Sequence, residues 1–122
     1  MSATRRLTSK IGYNSLNSKE TRAMRAPKLS EEEIHQHLAK LPGWTREGEA
    51  IAKTYQFKDF SHALGFVNQV AETAEAVNHH PDILIRYNKV TLRLTTHDSG
   101  GLTLNDVDLA AASDDFADGI GQ

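Results

Sequence analysis

The stretch EAVNHHPDILIRYNKVTLRLTTHDSGGLTLNDVD, Glu75–Asp108, decides how this chain folds, and it carries three of the six histidines. Pro81 disfavours the α conformation at the residue before it, so the preceding helical run must end at about Asn78 or His79. Alternating apolar residues then predict two strands. We expect the pair Asn88-Lys89 to form a two-residue turn between them, since Asn tolerates the backbone that such turns need.

This hairpin is expected to bring distant histidines together. If the turn is Asn88-Lys89, Tyr87 pairs with Val90 and His80 falls opposite His97. Cross-strand neighbours have Cβ atoms about 4.5–5.5 Å apart. The predicted register therefore places these two imidazoles in side-chain contact.

A carboxylate is predicted to join the histidines. Glu75 lies four residues before His79, which is one helical turn. Imidazoles titrate near neutral pH, so His79, His80 and His97 could supply both a proton donor and a proton acceptor. The alternatives are three ordinary surface or core histidines, or a zinc site. Adjacent histidines point apart, and the chain has neither cysteine nor an HExxH pattern, so we predict no metal.

Length and charge restrict the function further. The chain has 122 residues, enough for one domain with a modest core, and no apolar run long enough to span a membrane. Residues 1–28 carry seven Lys and Arg against one acid, whereas residues 29–122 carry seven against fifteen. An acidic body argues against direct nucleic-acid binding, because a polyanion requires a basic face.

The basic segment 1–28 is predicted to be a disordered extension, with the folded domain at residues 29–122. Its hydroxyl-rich, acid-poor composition also fits an organellar transit peptide. We favour an extended start or tail, with Met24 as the natural start, and a cytoplasmic protein; an organellar location is the alternative.

The remaining signals predict the order helix, hairpin, helix, hairpin, helix. This order indicates an α+β fold with two layers, in which three helices cover one face of a four-stranded antiparallel sheet. Such a sheet leaves two edges that could pair with a second copy, so we expect a homo-oligomer. The first helix is predicted to begin with a capping box at Ser30–Glu33, and the first hairpin to pair Trp44–Glu47 with Ala50–Phe57. The second helix is predicted to be capped by Asp59 or Ser61. The last helix is predicted to begin at Thr103 and Asp106.

Taken together, these residues resemble the pterin-4a-carbinolamine dehydratase family. The resemblance covers about Leu29–Phe116 and none of the basic segment. One departure is Ile83, where many members carry Trp. The resemblance rests on Glu75-x3-His79-His80-Pro81, Tyr87-Asn88-Lys89-Val90, Thr95-Thr96-His97-Asp98, Gly101-Leu102-Thr103 and Asp106, with Gly43-Trp44 and Phe57-Lys58-Asp59-Phe60 upstream.

The resemblance implies an assembly of dimers or tetramers and a reaction that needs no metal or organic cofactor. Its members dehydrate the 4a-hydroxytetrahydropterin left by aromatic amino acid hydroxylases, giving quinonoid dihydropterin and supporting tetrahydrobiopterin recycling. It implies that His79 and His97 transfer protons, that His80 holds the substrate, and that Glu75 orients and charges His79.

Three further residues complete the predicted substrate-binding set. The family pattern places Asp106 where it would help hold the pterin or His97, although a helix cap alone would also explain this residue. Pro81 and Trp44 are expected to border the pterin. For Trp44, a place in the core is the alternative.

Two other functional classes fit the same fold. The first is a binding module: animal members also act as dimerisation cofactors of a homeodomain transcription factor, and some relatives assist assembly of ribulose bisphosphate carboxylase. Relatives of the latter kind tend to have a degraded histidine set, whereas this one is intact, which favours the enzyme. A metal-dependent hydrolase using His79, His80 and His97 ranks last.

Overall fold

Each α-helix in the part of the chain that the structure describes begins at a side chain that caps it. In the computed structural model, which describes residues 26–121, Ser30 and Thr103 form capping boxes and Asp59 accepts a hydrogen bond from the His62 amide. These caps satisfy amide groups that the first helical turn leaves without a partner. The elements are α1 Glu31–Leu38, β1 Thr45–Glu47, β2 Ala50–Gln56, α2 Phe60–Val77, β3 Asp82–Arg86, β4 Lys89–Leu94, a 3₁₀ turn His97–Ser99, and α3 Leu104–Ile120.

The four strands form one antiparallel sheet in the order β1-β2-β4-β3. One face is apolar and buried, and residues from all three helices share a single core with it. The other face carries polar side chains such as Thr54 and Thr91, which hydrogen-bond to each other at 2.7 Å. The predicted α+β architecture and element order are confirmed.

The predicted register of the second hairpin is wrong by two residues. The turn is Tyr87-Asn88, so that Arg86 pairs with Lys89 and Ile85, rather than Tyr87, pairs with Val90. A slip of two residues leaves every side chain on its original face, so the apolar pattern cannot detect it. Asn88 makes contacts outside the hairpin that fit this register: its backbone carbonyl accepts from the Phe57 amide and its side-chain amide donates to the Phe57 carbonyl, both at 2.8 Å.

The predicted extension, residues 1–28, lies outside the described residues except for Ala26–Lys28. Leu29 is tied to the domain, because its amide donates to the Leu102 carbonyl at 2.8 Å. Within residues 26–121, none of the helices is long and apolar enough to cross a membrane.

Candidate active site

The end of α2 directs two histidines away from the helix. The helix ends at Val77, and Asn78 adopts a left-handed conformation with φ 55°. The His79 amide then closes the last turn by donating to the Ala74 carbonyl at 3.0 Å. The predicted helix end before Pro81 is therefore confirmed, and the left-handed residue sets the directions in which the next side chains leave the chain.

The first of these histidines contacts a buried carboxylate. His79 Nε2 lies 2.6 Å from Asp106 Oδ1, and the Asp106 side chain is 0% exposed and that of His79 is 12% exposed. Asp106 belongs to the first turn of α3, so this contact joins the ends of two helices. The partner of Asp106 Oδ1 in the structure is His79, a contact that the sequence did not predict. That Asp106 helps to hold the pterin or His97 stays a prediction.

Asp106 also receives two other hydrogen bonds. Its Oδ2 accepts from the Thr96 hydroxyl at 2.8 Å and from the Thr103 amide at 3.0 Å. Because a carboxylate only accepts, His79 must donate its Nε2 proton. A neutral His79 then carries its lone pair on Nδ1, the nitrogen that is left to exchange a proton with a ligand.

The second histidine, His80, contacts Glu75, the carboxylate that was predicted to contact His79. Glu75 Oε2 lies 2.7 Å from His80 Nε2, and no hydrogen bond or ion pair between Glu75 and His79 is found among the described residues. The prediction is wrong because spacing by four applies only while the helix continues, and here it stops at Val77. This pair is open to solvent, with side-chain exposures of 53% for His80 and 78% for Glu75.

The third histidine lies on a turn rather than on a strand. β4 ends at Leu94 and His97 begins the 3₁₀ turn, so the prediction that His80 faces His97 across the hairpin is wrong. His97 is connected to the site through its neighbour in the chain. Its neighbour Thr96 donates to Asp106, so one carboxylate is bonded both to His79 and to the residue beside His97.

Trp44 is a core residue that is 5% exposed, which favours the alternative interpretation of it. Its indole nitrogen, Lys53 Nζ and the Tyr55 hydroxyl donate to one oxygen of Asp114, at 3.2, 2.9 and 2.6 Å. Burial, together with the Asp114 carboxylate, raises the pKa of Tyr55 well above its usual range. Pro81, in contrast, is half-buried beside the histidines.

Thr96 belongs to one of the motifs quoted above, but its bond to Asp106 was not predicted from the sequence. A threonine ten residues before an aspartate has no periodic relation to it, so no local signal marks the pair. Among residues 26–121 no group of three or more His, Cys, Asp or Glu side chains is arranged to hold a metal ion. The expectation of metal-free chemistry stays a prediction.

A family model described as pterin 4 alpha carbinolamine dehydratase matches residues 27–116, which include every site residue above. The chain belongs to the pterin-4α-carbinolamine dehydratase family. A protein of Roseiflexus sp. strain RS-1, named provisionally as a pterin-4-alpha-carbinolamine dehydratase, is 56% identical over 75% of this chain and 98% of its own. A relative with the same name in Sulfurisphaera tokodaii is 50% identical over 73% of this chain and 96% of its own.

Solved structures agree with this assignment. A crystal structure titled as a transcriptional coactivator/pterin dehydratase from Brucella melitensis has a TM-score of 0.72 and 39% identity, covering 74% of this chain and 98% of that one. A pterin dehydratase-like protein described as a RuBisCO assembly factor of the α-carboxysome has a TM-score of 0.54 at 22% identity, a likeness of fold alone. The family's dehydratases are hydro-lyases, and the predicted class of enzyme and family are confirmed.

Proposed function

We propose that this protein dehydrates 4a-hydroxytetrahydropterin to quinonoid dihydropterin and water through histidine acid–base catalysis. In this reaction the C–O bond at carbon 4a breaks and the hydroxyl leaves as water after receiving a proton. The adjacent ring nitrogen loses its proton, and its electron pair forms the new C=N bond. The reaction therefore needs one group that donates a proton and one that accepts a proton.

The observation that carries this proposal is the buried contact between His79 and Asp106. A carboxylate that is 0% exposed holds Nε2 of His79 at 2.6 Å, which leaves Nδ1 for the substrate. We propose His79 and His97 as the proton-transfer pair and His80, with Pro81, as the contact that holds the pterin. Positioned proton transfer contributes about 10²–10⁴-fold to a rate.

The role of Glu75 changes with the geometry. Since it contacts His80 and not His79, we propose that it orients the substrate-holding histidine. Trp44 is not among the substrate-binding residues that we propose, because its indole is buried and hydrogen-bonded to Asp114. The physiological role that we propose is regeneration of tetrahydrobiopterin after an aromatic amino acid hydroxylase has used it.

The test is the dehydration rate of 4a-hydroxytetrahydropterin, measured with a chelator present, for the wild type, His79→Ala and His97→Ala. We expect turnover that is insensitive to the chelator in the wild type and a loss of about 10²-fold or more in each variant. His35→Ala, on the exposed face of α1, is the matched control and should retain the wild-type rate. A folded wild type without acceleration would exclude the enzyme proposal and favour a non-catalytic assembly module.

We also propose that the protein self-associates through an edge of its sheet. β3 is an edge strand, and Leu84 on β3 and Tyr87 in the adjoining turn are exposed large side chains. Unpaired strand edges readily pair with another chain. Sedimentation equilibrium of the full chain should give a dimer or tetramer mass, and a monomer at assay concentration would contradict this proposal.

A further inference from the structure

His97 lies on a short loop whose geometry depends on what holds it. Thr96 and Gly101 exchange two backbone hydrogen bonds of 3.2 Å, and Gly100 adopts φ 80° between them. The His97 side chain itself is exposed. Its position therefore follows from the anchoring of the loop and not from packing around the imidazole.

One side of the loop is anchored to the site. The Thr96 hydroxyl donates to Asp106, the same carboxylate that holds His79. This bond and the backbone pairing of Thr96 with Gly101 hold the base of the loop, whereas the 3₁₀ turn that carries His97 lies beyond them. A second anchor, made by the turn itself, restrains the imidazole further.

The second anchor is the segment before α1, Ala26–Leu29, which we call the N-terminal strap. Ser99, which follows His97 by two residues, donates from its Oγ to the Ala26 carbonyl at 2.6 Å. At the other end of the strap, the Leu29 amide donates to the Leu102 carbonyl at 2.8 Å, and the Leu29 side chain packs against the core.

Glu49, in the turn between β1 and β2, supports both the strap and the loop. Its carboxylate lies 3.5 Å from Lys28 of the strap, and its carbonyl accepts from the Thr95 hydroxyl. Both charged side chains are about half exposed, so the ion pair adds little by itself. The hydrogen bond made by Ser99 links the strap directly to the 3₁₀ turn.

We propose that Ser99 is a positioning residue for His97 and that it acts by fastening the 3₁₀ turn to the N-terminal strap. This inference rests on the proposed role of His97 in proton transfer. Loss of the hydrogen bond would let the loop occupy orientations in which the imidazole is out of place, and misplacement of a catalytic group slows proton transfer. Ground-state binding of the pterin would change little, since His79, His80 and Pro81 lie outside the loop.

The experiment compares full-length wild type, Ser99→Ala, Ser99→Thr and Ser61→Ala by kcat and KM for 4a-hydroxytetrahydropterin. It also follows the His97 imidazole signals by NMR, and thermal unfolding reports whether each variant is folded. We expect Ser99→Ala to lower kcat about five- to tenfold with KM within about twofold, and to shift the His97 signals. Ser99→Thr retains a hydroxyl and should recover most of the rate. Ser61→Ala, an exposed serine on α2, is the matched control.

Several outcomes would overturn the inference. A folded Ser99→Ala with wild-type kcat would do so, as would a lowered kcat with unchanged His97 signals, because the serine would then act in another way. A wild type without dehydratase activity would refute the proposed function instead. In that case the NMR signals of His97 alone decide whether Ser99 positions the imidazole.

Discussion

Replacing Asp106 with asparagine exchanges one oxygen of a buried carboxylate for an amide nitrogen of almost the same size. The side chain is 0% exposed and accepts hydrogen bonds from His79, Thr96 and Thr103. The amide oxygen must remain where Oδ2 is, because two donors meet there. The amide nitrogen therefore faces His79, and the imidazole has to accept at Nε2 and move its proton to Nδ1.

This reversed tautomer gives the size of the expected effect. The nitrogen that we propose for proton exchange with the pterin would no longer have a free lone pair in the neutral ring. We expect kcat/KM to fall by about 10²–10⁴-fold, the range of positioned proton transfer. Stability should fall by only about 1–2 kcal/mol, since each hydrogen bond to the charged group becomes a weaker neutral bond. Asp106→Ala is a poorer test, because it removes the acceptor of one buried and two partly buried donors and would cost about 3–5 kcal/mol.

The assay combines steady-state dehydration kinetics with ¹⁵N NMR of the imidazole nitrogens, which distinguishes the two tautomers. Asp115→Asn, an exposed position on α3, is the matched control for the chemical change and should behave as wild type. An Asp106→Asn variant within about threefold of the wild-type kcat/KM would refute the argument. A large loss of rate with His79 still protonated at Nε2 would refute the tautomer explanation and leave another cause to be found.

Three further substitutions test other parts of the structure. Asp114→Ala removes the acceptor of the buried Tyr55 hydroxyl and of the buried Trp44 indole. Urea titration should show that the free energy of unfolding falls by about 2–4 kcal/mol. A change near zero would mean that these donors find other partners. Tyr87→Asn should stabilise the protein by about 1 kcal/mol in the same titration, because Tyr87 has φ 54° and asparagine tolerates that conformation better; lower stability would contradict the assigned turn. Glu75→Gln should lower the dehydration rate less than about fivefold, since the contact of Glu75 with His80 is exposed to water. A loss as large as that expected for Asp106→Asn would show that the exposed pair matters more than we propose.

Local rules predicted the elements of this fold well because local interactions form them. The capping boxes at Ser30 and Thr103 begin helices, and Pro81 follows a helix that ends at Val77. The same rules failed for Glu75, since one left-handed residue, Asn78, ends the periodicity from which the partner was predicted. The hairpin register failed for a different reason: a slip of two residues keeps the apolar side chains on the core face.

Asp106 shows most clearly where sequence information ends. The pattern Thr103-x-x-Asp106 correctly predicts a capping box, and Oδ2 indeed accepts the Thr103 amide. Oδ1 does not take part in the capping box, and no local sequence pattern specifies its partner. Only the packing of α3 against the end of α2 brings His79, 27 residues earlier, to within 2.6 Å of it.

Local patterns in the sequence are enough to predict the order of helices and strands and the apolar face of the sheet, because periodicity, capping and turn chemistry act over a few residues. The family resemblance, with its three candidate site histidines, rests on the sequence motifs quoted above. The tertiary structure alone decided which carboxylate meets which imidazole, how the hairpin is registered and what holds the His97 loop. Those choices depend on contacts between residues far apart in the chain, and such contacts exist only after the core has brought the segments together.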